Sequence, residues 1–330
     1  MNLADPADAG AGGESSGPEN LRIVFFGTPD FAVPSLERLA GDPGFRVEAV
    51  VSQPDRAVGR HASVSAPAVA RVARDRGIPL LQPAGIRSEE FAATIRDLAP
   101  DALVVVAYGK LLPPRLLAVS PLGAINVHGS LLPRHRGASP VQAAILAGDA
   151  VTGVATMRMT EGLDEGPVFA ARETAIEAFD TAQTLSARLA ALGAELLAET
   201  LRGLANGTLS SKPQEGEPSY CRPIRREDAL VDWERPAAEI LRRLRAFTPW
   251  PGLFTFLEGE RVKILDADES RERPAAPSGS FDLASGELVA SAGEGTAVRI
   301  QRLQRAGRKP VTGAEFARAA RLPGRFGAPR

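Results

Sequence analysis

The sequence predicts an α/β fold in two parts, a mostly parallel sheet clad in helices followed by a smaller β-barrel. Three observations predict it. Short apolar runs alternate with stretches of helical spacing from residue 21 to residue 128, the pattern of strand–helix–strand units with right-handed crossovers. A polar segment rich in Ser, Pro and Glu occupies 207–223 and reads as a linker. Beyond residue 250 short strand-like runs recur with turn residues between them, as in a small all-β barrel. The 330 residues suit two domains of ~100–200 residues each. The expected division is a disordered tail over 1–20, a catalytic sheet domain over 21–206, the linker over 207–223 and a barrel domain over 224–330.

Each element has its own justification. LRIVFFG (21–27) is a short apolar run ending in Gly, hence a buried strand. DFAVPSLERLAGD has helical spacing, FRVEAVVSQPD (45–55) reads as a second strand, and SAPAVARVARDRG (65–77) is a helix stopped by Gly77. IPLLQP is a short strand. In SEEFAATIRDLAP, Ser88 caps a helix whose first turn is acidic and which Pro100 ends. DALVVVAYG (101–109) and GAINVH (123–128) are further apolar strands. Residues 152–160 and 167–176 alternate like exposed strands joined by EGLDEGP. Asp180 and Gln183 predict a capping-box-like helix start, Leu185, Leu189, Leu192 and Leu196 form its core stripe, and Gly207 closes it after Asn206. AAEILRRLRAF is a helix. LFTFLEG, RVKILDA, GSFDLAS, GELVASAG and AVRIQRLQ supply the barrel strands.

Composition narrows the function. The chain is 44% hydrophobic and 24% charged, ordinary for a globular protein. No run approaches the ~18–20 apolar residues of a membrane helix. The single cysteine, Cys221, excludes a disulfide framework and a CxxC metal knuckle, and a cytoplasmic location is expected. MNLADPADAGAGGESSGPEN has no Lys or Arg and no apolar centre, so it reads as a tail and not a signal peptide. Charge is uneven: residues 221–330 hold 20 basic and 15 acidic residues, and 299–330 hold nine basic and one acidic. A basic end points to a polyanionic partner or to a solvated arginine-rich terminus.

The dinucleotide turn GxGxxG is absent after the first strand, where the chain reads GTPDFAVP. Attention falls instead on AINVHGSLLPRHRGASP (124–140), which holds two of only three histidines. Asn126 and His128 stand two apart at a predicted strand end, so both side chains share one face. Ligands of open α/β sheets bind beyond the carboxyl ends of the strands. There a carboxamide can donate to a carbonyl oxygen gaining charge, and an imidazole can exchange a proton near neutral pH. Asp164 can orient the imidazole. No GxSxG elbow surrounds Ser130, so the chemistry suggested is direct transfer of a carbonyl group. The same residues also fit a core His satisfied by a backbone carbonyl with Asn as a turn residue. One His and one Asp are too few for zinc.

The stretch NVHGSLLPRHRGASPVQAAILAGDAVTGVATMRMTEGLDEGPV closely resembles the folate-dependent formyltransferases, in particular those acting on methionyl-tRNA. FFGTPDFAVPSLERL, SQPDR, VVVAYGKLLP, VDW, RAFTPWPG and AGRKPVTGAEF extend the resemblance over nearly the whole chain after residue 20. It implies a Rossmann-like domain that binds 10-formyltetrahydrofolate, an OB-like barrel, and initiator methionyl-tRNA as acceptor. The family's catalytic Asn, His and Asp correspond to Asn126, His128 and Asp164. Its folate-contacting turn corresponds to Ser130, Leu131, Leu132 and Pro133, with Tyr108, Gly109, Lys110 and Leu111 across the pocket. No metal and no membrane are implied, and a monomer is expected. Arg308 and Lys309 are the expected phosphate contacts. The chain departs from the family after SQPDR, where AVGRHASVSAP offers only Arg60 and His61 in a loop that is usually more basic; Arg60 is the candidate tRNA contact there. Three other readings share parts of this pattern. They are a sugar-nucleotide N-formyltransferase, a formyltetrahydrofolate hydrolase, and a non-catalytic RNA-binding module on an inactive sheet.

Overall fold

The computed structural model describes residues 20–58, 63–272, 275–320 and 322–327. The first sheet begins with β1 (Leu21–Gly27), α1 (Val33–Ala40) and β2 (Phe45–Val51), then a hairpin of β3 (Arg56–Val58) and β4 (Ser63–Ser65). It continues through α2 (Ala68–Asp75), β5 (Leu80–Leu81), α3 (Glu89–Asp97), β6 (Ala102–Val106), α4 (Pro114–Leu117) and β7 (Ala124–His128). After β8 (Arg136–Gly137) and α5 (Pro140–Ala147) come β9 (Val151–Arg158), β10 (Val168–Ala175) and the long α6 (Ala182–Ala205). The strand order is β10-β9-β7-β6-β1-β2-β5, parallel from β5 to β7, with β9 antiparallel to both β7 and β10. Helices α1 and α6 cover one face, where Phe25, Leu36, Val127, Leu189 and Leu197 pack together. Helices α3 and α4 cover the other through Ile95 and Leu116.

The expected elements appear with instructive differences. Ser88 Oγ accepts the Phe91 N–H, capping α3 as its spacing predicts. The strand expected to run to residue 109 stops at Val106, because Ala107 and Gly109 adopt left-handed backbone (φ 45° and 84°) and turn the chain out of the sheet. β9 is buried almost end to end rather than alternating, since it lies between β7 and β10 under α6. Only β10, at the sheet edge, alternates. The cap of α6 is Thr181, paired reciprocally with Thr184, and not Asp180 with Gln183. Asp180 instead accepts from Thr184, the Glu177 N–H and Arg188.

The second unit follows β11 (Tyr220–Cys221). It comprises α7 (Ala237–Ala246), β12 (Phe254–Leu257), β13 (Glu260–Glu269), β14 (Ser280–Ala284), β15 (Glu287–Ser291), β16 (Ala297–Arg305), β17 (Val311–Thr312), α8 (Gly313–Ala319) and β18 (Gly324–Arg325). The sheet runs β12-β13-β16-β15-β14-β18, and Gly327, just past β18, bridges back to Phe256 on β12. That bridge brings the sheet edges together into a near-closed barrel. Phe281 stacks on Phe326 at 4.2 Å inside it, and Trp233 donates to Thr255 Oγ1 at 3.0 Å. β17, α8 and β18 have no counterpart in the strand pattern read from the sequence.

Candidate active site

Asn126 and His128 sit at the carboxyl end of β7, an inner strand of the sheet between β6 and β9. Alternation gives the intervening Val127 to α6, where it packs against Gly193 so closely that a Cβ there would lie 2.8 Å from it. The two polar side chains therefore share the opposite face. Both are nearly buried. Among the described residues none hydrogen-bonds the Asn126 carboxamide, so its NH₂ is available to an incoming acceptor atom.

His128 is fixed by its surroundings. Its Nε2 lies 3.0 Å from the carbonyl of His135. A carbonyl only accepts, so Nε2 carries the hydrogen and Nδ1 is the exchanging nitrogen. Nδ1 faces Asp164 Oδ2 at 3.7 Å. That is too long for a direct hydrogen bond. The same Oδ2 accepts the Gly137 N–H at 2.8 Å.

The linker contributes to this framework. Gln214 Nε2 donates to the carbonyls of Asp164 and Gly166, both at 2.8 Å, and its Oε1 receives Arg136. Ser219 Oγ accepts the His135 N–H at 2.8 Å. Tyr220 and Cys221 form β11, which pairs in parallel with Arg136 and Gly137 of β8. Gly137 is required there, because it has φ +116° and a Cβ would meet the Cys221 carbonyl at 2.2 Å. His135 itself has left-handed backbone (φ 56°), as has Asp164 (φ 53°). Asp149 holds the His135 ring at 2.8 Å and Arg134 at 2.6 Å. Non-glycine residues in this conformation persist only where their surroundings over-determine them. Here Ser219, Asp149 and Gln214 do so. None of these partners was legible in the sequence. The two-residue strands show no periodicity, and Gln214 lies in a segment whose composition reads as a spacer.

The remaining expected site residues divide. Ser130 is buried and its Oγ donates to the Arg134 carbonyl at 2.6 Å, so it closes the turn. Leu131 packs on Gly153, whose Cβ position lies 2.5 Å from it. Leu132 is half-buried, and the Pro133 carbonyl accepts the Ser219 N–H at 3.3 Å. Tyr108 follows β6 by two residues and opens the 108–111 segment. Its ring is buried edge-on to Phe26 at 5.4 Å, in the core between the sheet and α3. Burial pushes its phenol up to about 12. Tyr108 reaches the loop cluster only through its backbone carbonyl, which accepts from Thr28 and Gln53. Gly109 and Leu111 are exposed, and Lys110 Nζ donates to the Ala84 carbonyl at 2.9 Å. Burial raises the Cys221 thiol, which argues against a nucleophilic thiolate.

The basic end is less free than its count suggests. Asp268 and Glu287 hold Arg299, and Glu260 holds Arg305. Arg308 and Lys309 are exposed at the β16–β17 turn, with no ion pair among the described residues. Arg60 and His61 lie outside the described residues. A cavity of about 360 Å³ between α5, α7 and the loop after β10 is lined by Asp149, Glu177, Arg242 and Arg245, but not by Asn126 or His128. Among the described residues no group of three or more His, Cys, Asp or Glu is placed to hold a metal ion, and no helix is long and apolar enough to cross a membrane.

Residues 21–201 match the formyl transferase family and residues 223–321 match the formyl transferase C-terminal domain. The methionyl-tRNA formyltransferase of Mycobacterium sp. (strain KMS) is 47% identical over 303 residues, covering 92% of this chain and 98% of that protein. The methionyl-tRNA formyltransferase of Anaeromyxobacter sp. (strain K) is 45% identical over 305 residues, covering 91% and 97%. Among solved structures, a sugar 3N-formyl transferase determined in the presence of dTDP and 5-N-formyl-THF superposes with a TM-score of 0.64. It shares 16% sequence identity over 88% of this chain and all of that one, a likeness of fold.

Proposed function

Because the chain belongs to the formyl transferase family, we propose that it moves the formyl group of 10-formyltetrahydrofolate to the α-amine of initiator methionyl-tRNA. The products are N-formylmethionyl-tRNA and tetrahydrofolate, and the reaction serves translation initiation in the cytosol. The observation that carries the chemistry is the convergence of Asn126, His128 and Asp164 at the end of β7. The choice of acceptor rests on the relatives of 45–47% identity. The sugar-nucleotide reading has only the 16% fold likeness behind it.

The residues present suit a folate-borne formyl donor. An unpartnered, nearly buried carboxamide stands ready for a formyl oxygen. The donor supplies an activated formyl carbon and a nitrogen leaving group.

Asn126 Nδ2 donates to the formyl oxygen as that oxygen gains charge during attack by the free amine. His128, with Nε2–H locked on the His135 carbonyl, takes up at Nδ1 the proton that the attacking amine sheds and passes it to the departing folate nitrogen. Asp164 Oδ2 faces that nitrogen of the imidazole at 3.7 Å. The Gly137 N–H holds the carboxylate and Gln214 holds the backbone carbonyl of the same residue. Holding the amine and the donor on one rigid frame removes the entropic cost of their encounter. The decisive assay gives purified protein the formyl donor with methionyl-initiator tRNA, methionyl-elongator tRNA and an amino-sugar nucleotide. Formylation of the first alone is expected, and turnover of the sugar nucleotide instead would overturn the assignment.

A further inference from the structure

We propose that Tyr220 is a stacking platform for the terminal adenine of the acceptor tRNA, with Arg136 as its cationic companion. The inference rests on the acceptor reading above. Tyr220 is 62% exposed, yet its ring is not loose. Its backbone pairs with Arg136 in β8, and Arg136 Nη1 donates to its hydroxyl at 3.1 Å. The Arg136 guanidinium lies over the ring at 5.8 Å. Gln214 in turn holds that guanidinium by Nε and Nη2 at 3.0 and 2.8 Å. An aromatic face ordered in advance and left in solvent loses little freedom when a planar ligand settles on it.

Charge and reach both suit a nucleotide. No carboxylate pairs with Arg136 among the described residues; its partners are the neutral Gln214 and Tyr220. Its positive charge is uncompensated beside the ring, as a phosphate neighbour requires. The Gly137 N–H, next in chain to Arg136, donates to Asp164 at 2.8 Å. With strands ~4.8 Å apart, the Tyr220 Cα therefore lies within about 10 Å of the Asp164 carboxylate. The α-amine of an aminoacyl ester is separated from the terminal base by the ester and one ribose, a span of similar size, roughly 8–10 Å from standard bond lengths. The span therefore allows one acceptor to place its amine at the formyl carbon and its base on Tyr220. Stacking on aromatic side chains is how proteins hold unpaired bases at the ends of RNA.

Full-length parent, Tyr220→Ala, Tyr220→Phe and Tyr220→Trp are compared on methionyl-tRNA, on 3′-O-methionyl-adenosine and on methionine methyl ester, which has no base. Tyr220→Ala is expected to lower kcat/KM roughly 10-fold on the first two, to leave the methyl ester unaffected and to keep the KM for the formyl donor. Tyr220→Phe and Tyr220→Trp should retain near-parent values. Binding of a CCA trinucleotide, followed by calorimetry without turnover, should weaken at least ~5-fold in Tyr220→Ala. An equal loss on the methyl ester would mean a structural role and overturn the platform, as would unchanged trinucleotide binding. If the parent fails to formylate methionyl-tRNA, the acceptor reading falls, and the trinucleotide measurement still decides whether Tyr220 holds a base.

Discussion

The carboxyl end of β7 and the β16–β17 turn both carry residues expected to act on substrate, and they are built in opposite ways. At the first, His128 and Asp164 are held by groups from other segments, and Asn126 stands beside them without a hydrogen-bond partner among the described residues. The His135 carbonyl holds His128, Gly137 and Gln214 hold Asp164, and Ser219 and Asp149 hold His135. At the second, Arg308 and Lys309 project from a turn with no ion partner among the described residues. The contrast follows from the tasks. Stabilising charge on one oxygen depends on fractions of an ångström, whereas meeting a phosphate needs only nearby positive charge. On the proposed reading, a braced site is paired with a compliant grip.

The sharpest break of this contrast is at Asn126. Asn126→Ala removes a donor that supports nothing else among the described residues, so the fold should survive intact. Turnover should fall by ~10²–10³, the usual worth of an oxyanion donor, while tRNA affinity stays within about twofold. Near-normal kcat in single-turnover kinetics would remove Asn126 from the mechanism. Next comes Gln214→Leu, which deletes the brace on Asp164 without touching a reacting atom. A kcat loss of roughly 10-fold, with the KM for both substrates little changed, is expected because modest misplacement of positioned groups is costly. If kcat holds and only thermal stability drops, the linker is packing and not part of the site's frame.

That linker also marks where the sequence stopped being informative. The parallel sheet, the Ser88 cap and the Asn126–His128 pair were all legible, because each is written in local spacing of 2.0 or 3.6 residues. The partners of the pair were not. Gln214 lies 50 residues from Asp164, and Ser219 lies 84 from His135; no periodicity links them. The placement of the Tyr108 ring was not legible either. Tyr108 neighbours exposed Gly109, yet the left-handed turn at Ala107 sends its ring into the core beside Phe26. Residues 152–160 alternate like an exposed strand, because a local pattern cannot report that α6 and two strands enclose β9.

At the compliant end the expected effects are smaller. Arg308→Ala and Lys309→Ala should each weaken tRNA binding several-fold at ~0.1 M salt and leave kcat unchanged. Each should also lessen the slope of log K against log salt by about one, the signature of a lost phosphate contact. Arg299→Ala serves as the internal contrast, since Asp268 and Glu287 already occupy that guanidinium. Its removal should not reduce the salt slope. Equal slopes for all three variants and the parent would place the tRNA elsewhere.

The smallest effect on activity is expected furthest from both regions. Asp42 ties α1 to α6 through Arg38, Arg202 and the Gly44 N–H. Burial alone would raise its carboxyl, but the Gly44 N–H and the two guanidinium groups outweigh that and hold it at about 2. The folded state therefore favours the ionised form more than the unfolded chain does, whose Asp titrates near ~3.9. The resulting stability is fully present above about pH 5 and is lost as pH falls toward 2. Asp42→Asn should melt ~2–4 °C lower at pH 7, about 1 kcal/mol after discounting for the solvent around both arginines. The gap from the parent should close as pH approaches 2, and kcat at 25 °C should not change. If Asp42→Asn also slows turnover, the clamp between α1 and α6 sets the position of β7, and the rigid region extends through the helical layer instead of ending at the loops around His128.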